Sequence, residues 1–220
     1  MLLKLICVLL PWKLRRFILQ KRFGYELDSS ARIGLAWVYP GKLIMGKNSR
    51  IDHFTVAIHL DLIQIGNDSS IGRSNWITGM SAINETKFFK HQENRKAELR
   101  IGNHSHITKK HHIDCTNLIQ IGDFATIAGY NSQFLTHSID PYENRQHSEP
   151  IVINDYTFVG TNVVVLGGAI LPAKSILGAK SLLNKQFIEE YKLYGGVPAK
   201  PISDLDKDLK YFSRESGIVY

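Results

Sequence analysis

From Ile153 to Asn184 the chain repeats every six residues. An aliphatic side chain opens each six: Ile153, Val159, Val165, Leu171, Leu177 and Leu183. A small residue, Asn or Pro follows at Asn154, Gly160, Pro172, Gly178 and Asn184, with Leu166 the one bulky exception. The fifth place holds Thr157, Val163, Ala169, Ser175 and Ser181. A strict six matches neither the 3.6-residue period of a helix nor the two-residue period of a strand. It is the period of a parallel β-helix, in which each six forms one short strand and one corner. The first-place side chain points inward and stacks on its equivalents in adjacent coils, and the small neighbour lets the backbone turn.

The phase extends backwards. First places fall at Ile33, Tyr39, Met45, Ile51 and Ala57, then at Ile65, Ile71 and Ile77. They resume at Ile101, Ile107 and Ile113, and again at Ile121, Ile127 and Gln133. Ala57 and Gln133 fit an aliphatic slot poorly and are placed only by counting in sixes. Insertions of 2, 18, 2 and 14 residues follow the sixes that begin at Ala57, Ile77, Ile113 and Gln133. Three sixes separate successive insertions, and three sixes make one coil of a triangular prism. All four insertions are therefore expected at one corner, stacked, which is where a repeat protein gathers its binding groups.

Composition sets the remaining bounds. At 220 residues and 44% hydrophobic content the chain fits one solenoid domain with small appendages. Two cysteines, Cys7 and Cys115, make no disulfide framework and suit a reducing compartment. A net charge of +7 invites nucleic acid, anionic membrane or phosphorylated ligands. No RNA- or DNA-binding signature accompanies it, so nucleic acid is not expected as a partner. Residues 1–23 read as an amphipathic helix broken before Pro11, with an apolar run too short to span a bilayer and no signal-peptide cleavage site. That helix either covers the open end of the solenoid or lies in a membrane interface.

Function is expected at the insertion corner. Residues 79–100 hold the longer insertion, with Lys87, Lys90, Arg95, Lys96 and Arg100 around Phe88 and Phe89, read as a projecting arm with an aromatic tip. Residues 137–150 hold the other, a polar loop opened by His137 and carrying Asp140, Glu143, Arg145, His147 and Glu149. A histidine directly after a β-helix strand, with carboxylates near enough to orient it, has the placing of a general base. Asp140, Glu149 or a backbone carbonyl would orient the ring. Asp114 and Asn117 lie one coil below at the same corner and rank next for contact with a substrate. His104, His106, His111 and His112 tempt a metal reading, and His106 and His111 are spaced H-x4-H. A site needs a third protein ligand and an open position, and no third ligand stands at a stackable distance, so no metal is expected.

Three stretches together resemble the left-handed β-helix acyltransferases of the hexapeptide-repeat superfamily, and more narrowly the bacterial sugar and polysaccharide O-acetyltransferases. They are LTHSID (Leu135–Asp140), the unbroken repeat from Ile151 to Lys185, and GGVPAKPI (Gly195–Ile202). The resemblance is close over Ile101–Ile202 and looser before it. It implies acyl transfer from acetyl-CoA with His137 as general base, taking a proton from the acceptor hydroxyl as the oxygen attacks the thioester carbonyl. An imidazole suits the task because its ordinary pKa lies near 6.5. It further implies a CoA groove along Ala128, Phe158, Gly160, Thr161, Ala179, Lys185, Gly196 and Lys200. The family commonly has Trp where Phe158 stands and Thr where Asn184 stands. Phe keeps the apolar face of the Trp site but loses the indole donor. Members of the family are homotrimers with each active site between neighbouring prisms.

The expectations are therefore an all-β, left-handed parallel β-helix, a three-sided prism spanning 24–188. An N-terminal helix occupies 1–23, and a loop and helix follow over 189–220, the helix running from Ser203 to Phe212 with Ser203 as its N-cap. The leading function is acetyl-CoA-dependent O-acetylation of a sugar or glycan-biosynthesis intermediate. The expected setting is cytoplasmic, with residues 1–23 capping the prism, docking at the inner membrane face, or doing both. Two readings compete on the same fold: a metal hydratase like the γ-type carbonic anhydrases, and a non-catalytic trimeric scaffold.

Overall fold

The computed structural model describes residues 2–83 and 87–219. Its strands form three sheets of seven, nine and seven strands, visited in turn by each coil and parallel except for the last pair of the second, and a separate two-stranded hairpin. In the first sheet Leu43 pairs with Ile63, Ile63 with Leu99, Leu99 with Ile119 and Ile119 with Ile151. Each of these five side chains is fully buried. Stacks of this kind fill the axis of a left-handed parallel β-helix, each coil burying its apolar face on the next.

The inward register agrees with the six-residue phase except at two slots. Val38, not Tyr39, pairs with Ala57, and Phe134, not Gln133, pairs with Ile113 and Val165. Gln133 points to solvent while Phe134 is 1% exposed. The corner before Phe134 carries one more residue than a six allows, with Gly129 and Asn131 both at positive φ. The residue belongs to that corner instead of to the following insertion. Burying an aromatic ring outweighs keeping strict count.

Polar residues hold the corners together. Between the first and second sheets, Asn67 Oδ1 accepts from Lys47 N, Asn103 Oδ1 from Asn67 N, Asp123 Oδ1 from Asn103 N and Asp155 Oδ1 from Asp123 N. Gly102 stacks so closely there that a Cβ would meet Asp123 Oδ1 at 2.2 Å. Ser69 Oγ and Ser105 Oγ, pointing inward, donate to Gly102 O and Gly122 O at 2.7 Å, so buried carbonyls at the turn are satisfied. Outside, the left-handed corner residues His104, Phe124 and Tyr156 stack ring on ring at 4.7 and 4.6 Å. That stacking offsets part of the left-handed backbone cost.

Two helices precede the first coil, α1 (Leu2–Leu9) and α2 (Trp12–Phe23), separated by Leu10–Pro11. α2 packs on the first coil through buried Leu19 and through Arg15, whose guanidinium donates to Gly34 O and Ala36 O at 2.6 and 2.8 Å. α1 rests on it through buried Cys7, and its Lys4 carbonyl accepts from Tyr39 Oη at 2.8 Å.

The C-terminal segment departs from expectation. Ser203 does not cap a helix. It lies in a strand, Ala199–Asp204, that runs antiparallel to Lys192–Gly196 and extends the second sheet. Only a single 3-10 turn, Lys210–Phe212, is helical. The open edge of the second sheet offers a ladder of hydrogen bonds that a ten-residue helix with three acids in its first two turns does not outweigh. Beyond the turn the chain runs back over the second sheet. Tyr211 Oη donates to Thr157 O at 3.0 Å, and the Arg214 guanidinium donates to Phe124 O. Gly217 lies where a Cβ would meet His104 O at 2.4 Å.

Candidate active site

The four insertions emerge between the third sheet and the first, one coil apart, and this corner gathers most of the reactive side chains. His137 leaves the strand Gln133–Leu135 and opens a hairpin in which His137–Asp140 runs antiparallel to Arg145–Ser148. What reads as a loop in sequence is thus ordered by its own ladder, with Asp140 Oδ1 accepting from Tyr142 N at 3.0 Å to close the turn.

The His137 ring has three neighbours. Its Nδ1 lies 3.6 Å from Asp114 Oδ2, its Nε2 meets Gln146 Oε1, and its edge faces the ring of Phe89 with centroids 5.8 Å apart. Asp114 sits on the preceding coil, pairing with Leu135 across the strands. Its other oxygen is held by Thr116, whose N–H and hydroxyl both donate to Oδ1, at 2.9 and 2.6 Å. At 3.6 Å the fixed carboxylate stands beyond hydrogen-bond reach of Nδ1, but it faces that edge of the ring and favours a proton there.

The described parts of the longer insertion, 79–83 and 87–100, do not project as an arm, and residues 84–86 lie outside the described residues. They fold down against the corner, because buried Arg95 donates to Met80 O, Ser81 O and, at 2.6 Å, Thr116 O. Burial pushes the Arg95 pKa below its ordinary value, and nearby Asp61 opposes that shift. The guanidinium lies 4.4 Å from the Phe89 ring centre, so Arg95 fixes the ring that walls His137. Of the aromatic pair, Phe88 is exposed and Phe89 buried. Gln92 ties the two insertions together, donating to Ser148 O at 2.9 Å and accepting from Ser148 Oγ at 2.7 Å. Asn117 joins the same knot, its Nδ2 3.2 Å from both Ser148 O and Ser148 Oγ.

Asp140 is not beside the imidazole. Its Oδ2 lies 3.8 Å from Arg145 Nε at the far end of the hairpin. Glu149 faces His147, at 3.8 Å. The histidines of the preceding coil are dispersed. His106 lies in the second sheet, with Nδ1 2.9 Å from Ser70 Oγ, while His111 and His112 lie at the third. His111 is a core residue: its Nδ1 accepts from Ser132 N at 3.1 Å and its Nε2 lies 3.0 Å from Thr108 Oγ1. Burial lowers its pKa to about 4. Among the described residues, no three His, Cys, Asp or Glu side chains are placed to hold a metal ion.

The residues of the expected CoA groove lie elsewhere on the prism. Ala128, Gly160, Thr161 and Ala179 follow strands of the second sheet, at the corner leading into the third. Gly160 packs so tightly that a Cβ would meet Ala179 N at 2.6 Å, and Thr161 Oγ1 donates to Tyr130 O at 3.1 Å. Phe158, on the outer face of the second sheet, meets Tyr211 edge-on with centroids 6.0 Å apart. Lys185 lies over the Phe187 ring at 5.2 Å, Gly196 turns at φ +101, and Lys200 is exposed on the last strand. Ala128, Gly160, Thr161 and Ala179 therefore occupy the edge of the third sheet opposite His137, whereas Lys185, which follows Leu182–Leu183 and accepts from Ile170 N through its carbonyl, lies at the edge that His137 leaves. Thr116 and Gln146 were not singled out for the site by sequence, and Phe89 was named only as part of the expected arm. Thr116, two residues past Asp114, is the one with a readable signal, since that spacing favours a local carboxylate–hydroxyl turn.

Repeat and fold together define a hexapeptide-repeat β-helix protein. Its particular likeness is to acyltransferases. It is 28% identical over 102 residues to the dTDP-4-amino-4,6-dideoxy-D-glucose acyltransferase of Escherichia coli, a match that takes in 41% of this chain and 53% of that protein. The chain thus spans about half the length of the curated relative it matches. No family model matches. Among solved structures, a hexapeptide-repeat acetyltransferase of Vibrio cholerae complexed with acetyl-CoA is 20% identical, with 93% of this chain and 84% of that chain covered and a TM-score of 0.48. An N-acyltransferase of Bacillus cereus in complex with dTDP and 3-hydroxybutyryl-CoA is 14% identical, with 86% and 88% covered and a TM-score of 0.49.

Proposed function

We propose that this protein is an acetyl-CoA-dependent O-acetyltransferase acting on a sugar or glycan-biosynthesis intermediate, with His137 as general base. The observation that carries this reading is the His137–Asp114 pair at the insertion corner, 3.6 Å apart and anchored by Thr116. Asp114 keeps a proton on Nδ1, which leaves the Nε2 lone pair to accept the proton of a hydroxyl. Gln146 occupies the position that hydroxyl would take, and a half-turn of its carboxamide presents NH2 to Nε2 in the resting ring. Phe89 and the hairpin flank the ring on two sides and leave it exposed for an acceptor to reach.

Acetyl-CoA would supply the thioester carbonyl. The groove candidates suit its shape, with small residues at Ala128, Gly160 and Ala179, the half-buried ring of Phe158, and Lys185 and Lys200 as charges for phosphates. Because Ala128, Gly160, Thr161 and Ala179 lie across the third sheet from His137, the reading places each complete site between adjacent copies of a homotrimer. The Escherichia coli acyltransferase described above, whose name specifies a sugar nucleotide, supports a sugar acceptor. The test is calorimetry with acetyl-CoA, followed by thiol release against a panel of sugars and sugar nucleotides. Wild type and His137→Ala should bind acetyl-CoA alike, and the variant should lose about 10²–10⁴-fold in kcat. Absence of binding in both proteins would end the reading.

A further inference from the structure

The structure assigns a second surface, independent of the acetyl-transfer reading: the paired N-terminal helices form a docking face for an anionic lipid bilayer. α1 is apolar apart from Lys4, and a helix so apolar is normally buried on most sides. Here only one stripe is engaged, Lys4, Cys7 and Val8 against Tyr39 and the first coil. The opposite side leaves Leu2, Leu3, Leu5, Ile6 and Leu9 in solvent, Leu2 and Leu9 at 72% and 80% exposure. α2 continues the face with Leu14 and Phe17.

Charge decides the occupant. Residues 1–23 hold six basic residues, Lys4, Lys13, Arg15, Arg16, Lys21 and Arg22, and no acidic ones. Arg15 and Arg16 are spent on backbone carbonyls of the first coil. Lys13, Lys21 and Arg22 are exposed, and Lys13, Phe17 and Lys21 follow one another at four-residue steps along α2. Large apolar side chains bordered by uncompensated cations match the headgroup and upper acyl layers of an anionic leaflet. A second copy of the face would bring like charges together. No described helix is long and apolar enough to cross a membrane, and α1, at eight residues, lies in the interface plane instead.

The test is co-sedimentation of the full chain with phosphatidylcholine vesicles, with and without about one third phosphatidylglycerol. Binding is expected only with the anionic lipid and should weaken as salt rises. Leu2→Ser/Leu5→Ser/Leu9→Ser and Lys13→Gln/Lys21→Gln/Arg22→Gln change exposed groups only, and each set should lower partition by about tenfold or more. Matching thermal unfolding of the variants would show that the prism is intact. Equal partition of wild type and both variants, or no binding by wild type, overturns the proposal. So does a leucine variant that changes oligomeric state while vesicle binding persists, since the face would then belong to a second copy.

Discussion

His111 and His137 stand at neighbouring corners of the third sheet, the first buried and the second exposed. His111 replaces the Asn75 of the coil before and is replaced by Ser132 in the coil after, a buried polar slot whose task is to satisfy backbone groups. Its pKa of about 4, lowered by burial, makes it a pH liability. Between pH 6.5 and 4 the unfolded chain takes up a proton at this ring that the folded chain refuses. Its neutral form therefore stabilises the fold fully above 6.5, and that contribution is lost as pH falls towards 4. The shift corresponds to roughly 3 kcal/mol. His111→Asn, which copies Asn75, should flatten the dependence of the denaturation midpoint on pH across that interval; an unchanged slope would refute the assignment. The place of His137 among the insertions was legible from its position after a strand at the insertion corner. Asp114 was legible as its neighbour one coil below. Asp140 was a misleading candidate, since proximity along the chain does not survive a hairpin that carries it outward to Arg145. Gln146 was hidden for the same reason: only the register of that hairpin brings it to Nε2.

The hairpin and the folded-down insertion behave as one element, because Gln92, Asn117 and Ser148 share hydrogen bonds at the base of both. Asn117→Ala removes one arm of that knot without touching His137. It is expected to raise the KM for the acceptor several-fold, to leave the KM for acetyl-CoA unchanged, and to cost about 1 kcal/mol in stability. Steady-state kinetics varying each substrate in turn checks this; equal changes in both constants would separate the hairpin from acceptor binding. Neither the hairpin nor the inward fold of residues 79–100 was readable, since each rests on contacts between segments far apart in sequence. The terminal strand was missed for a related reason. Ser203 and the acids after it have the local pattern of a helix start, and the free edge of the second sheet is a property of the assembled prism.

At the scale of the whole molecule the repeat was almost fully readable, because every coil contacts only its neighbours and a local period is therefore also the global plan. The two slipped slots, Val38 for Tyr39 and Phe134 for Gln133, show that inward volume and not counting sets the register. If complete sites form between copies, damage to opposite edges of the third sheet should complement. Ala179→Trp fills the exposed side of the groove, while His137→Ala removes the base. Co-assembled from a refolded mixture, the two inactive proteins should regain a substantial fraction of wild-type turnover, as sites pairing an intact groove with an intact base reappear. No recovery from a mixture shown to contain mixed assemblies would place the whole site within one chain.

Stacked insertions also make the prism a ruler. Neighbouring strands are about 4.8 Å apart, so the corner that releases residues 79–100 and the corner that releases the hairpin are separated by two such steps. A change in insertion length alters what reaches the site without altering where it starts from. Excising one complete coil, by contrast, would move the two insertions towards each other by one fixed notch, with no intermediate setting available to the chain.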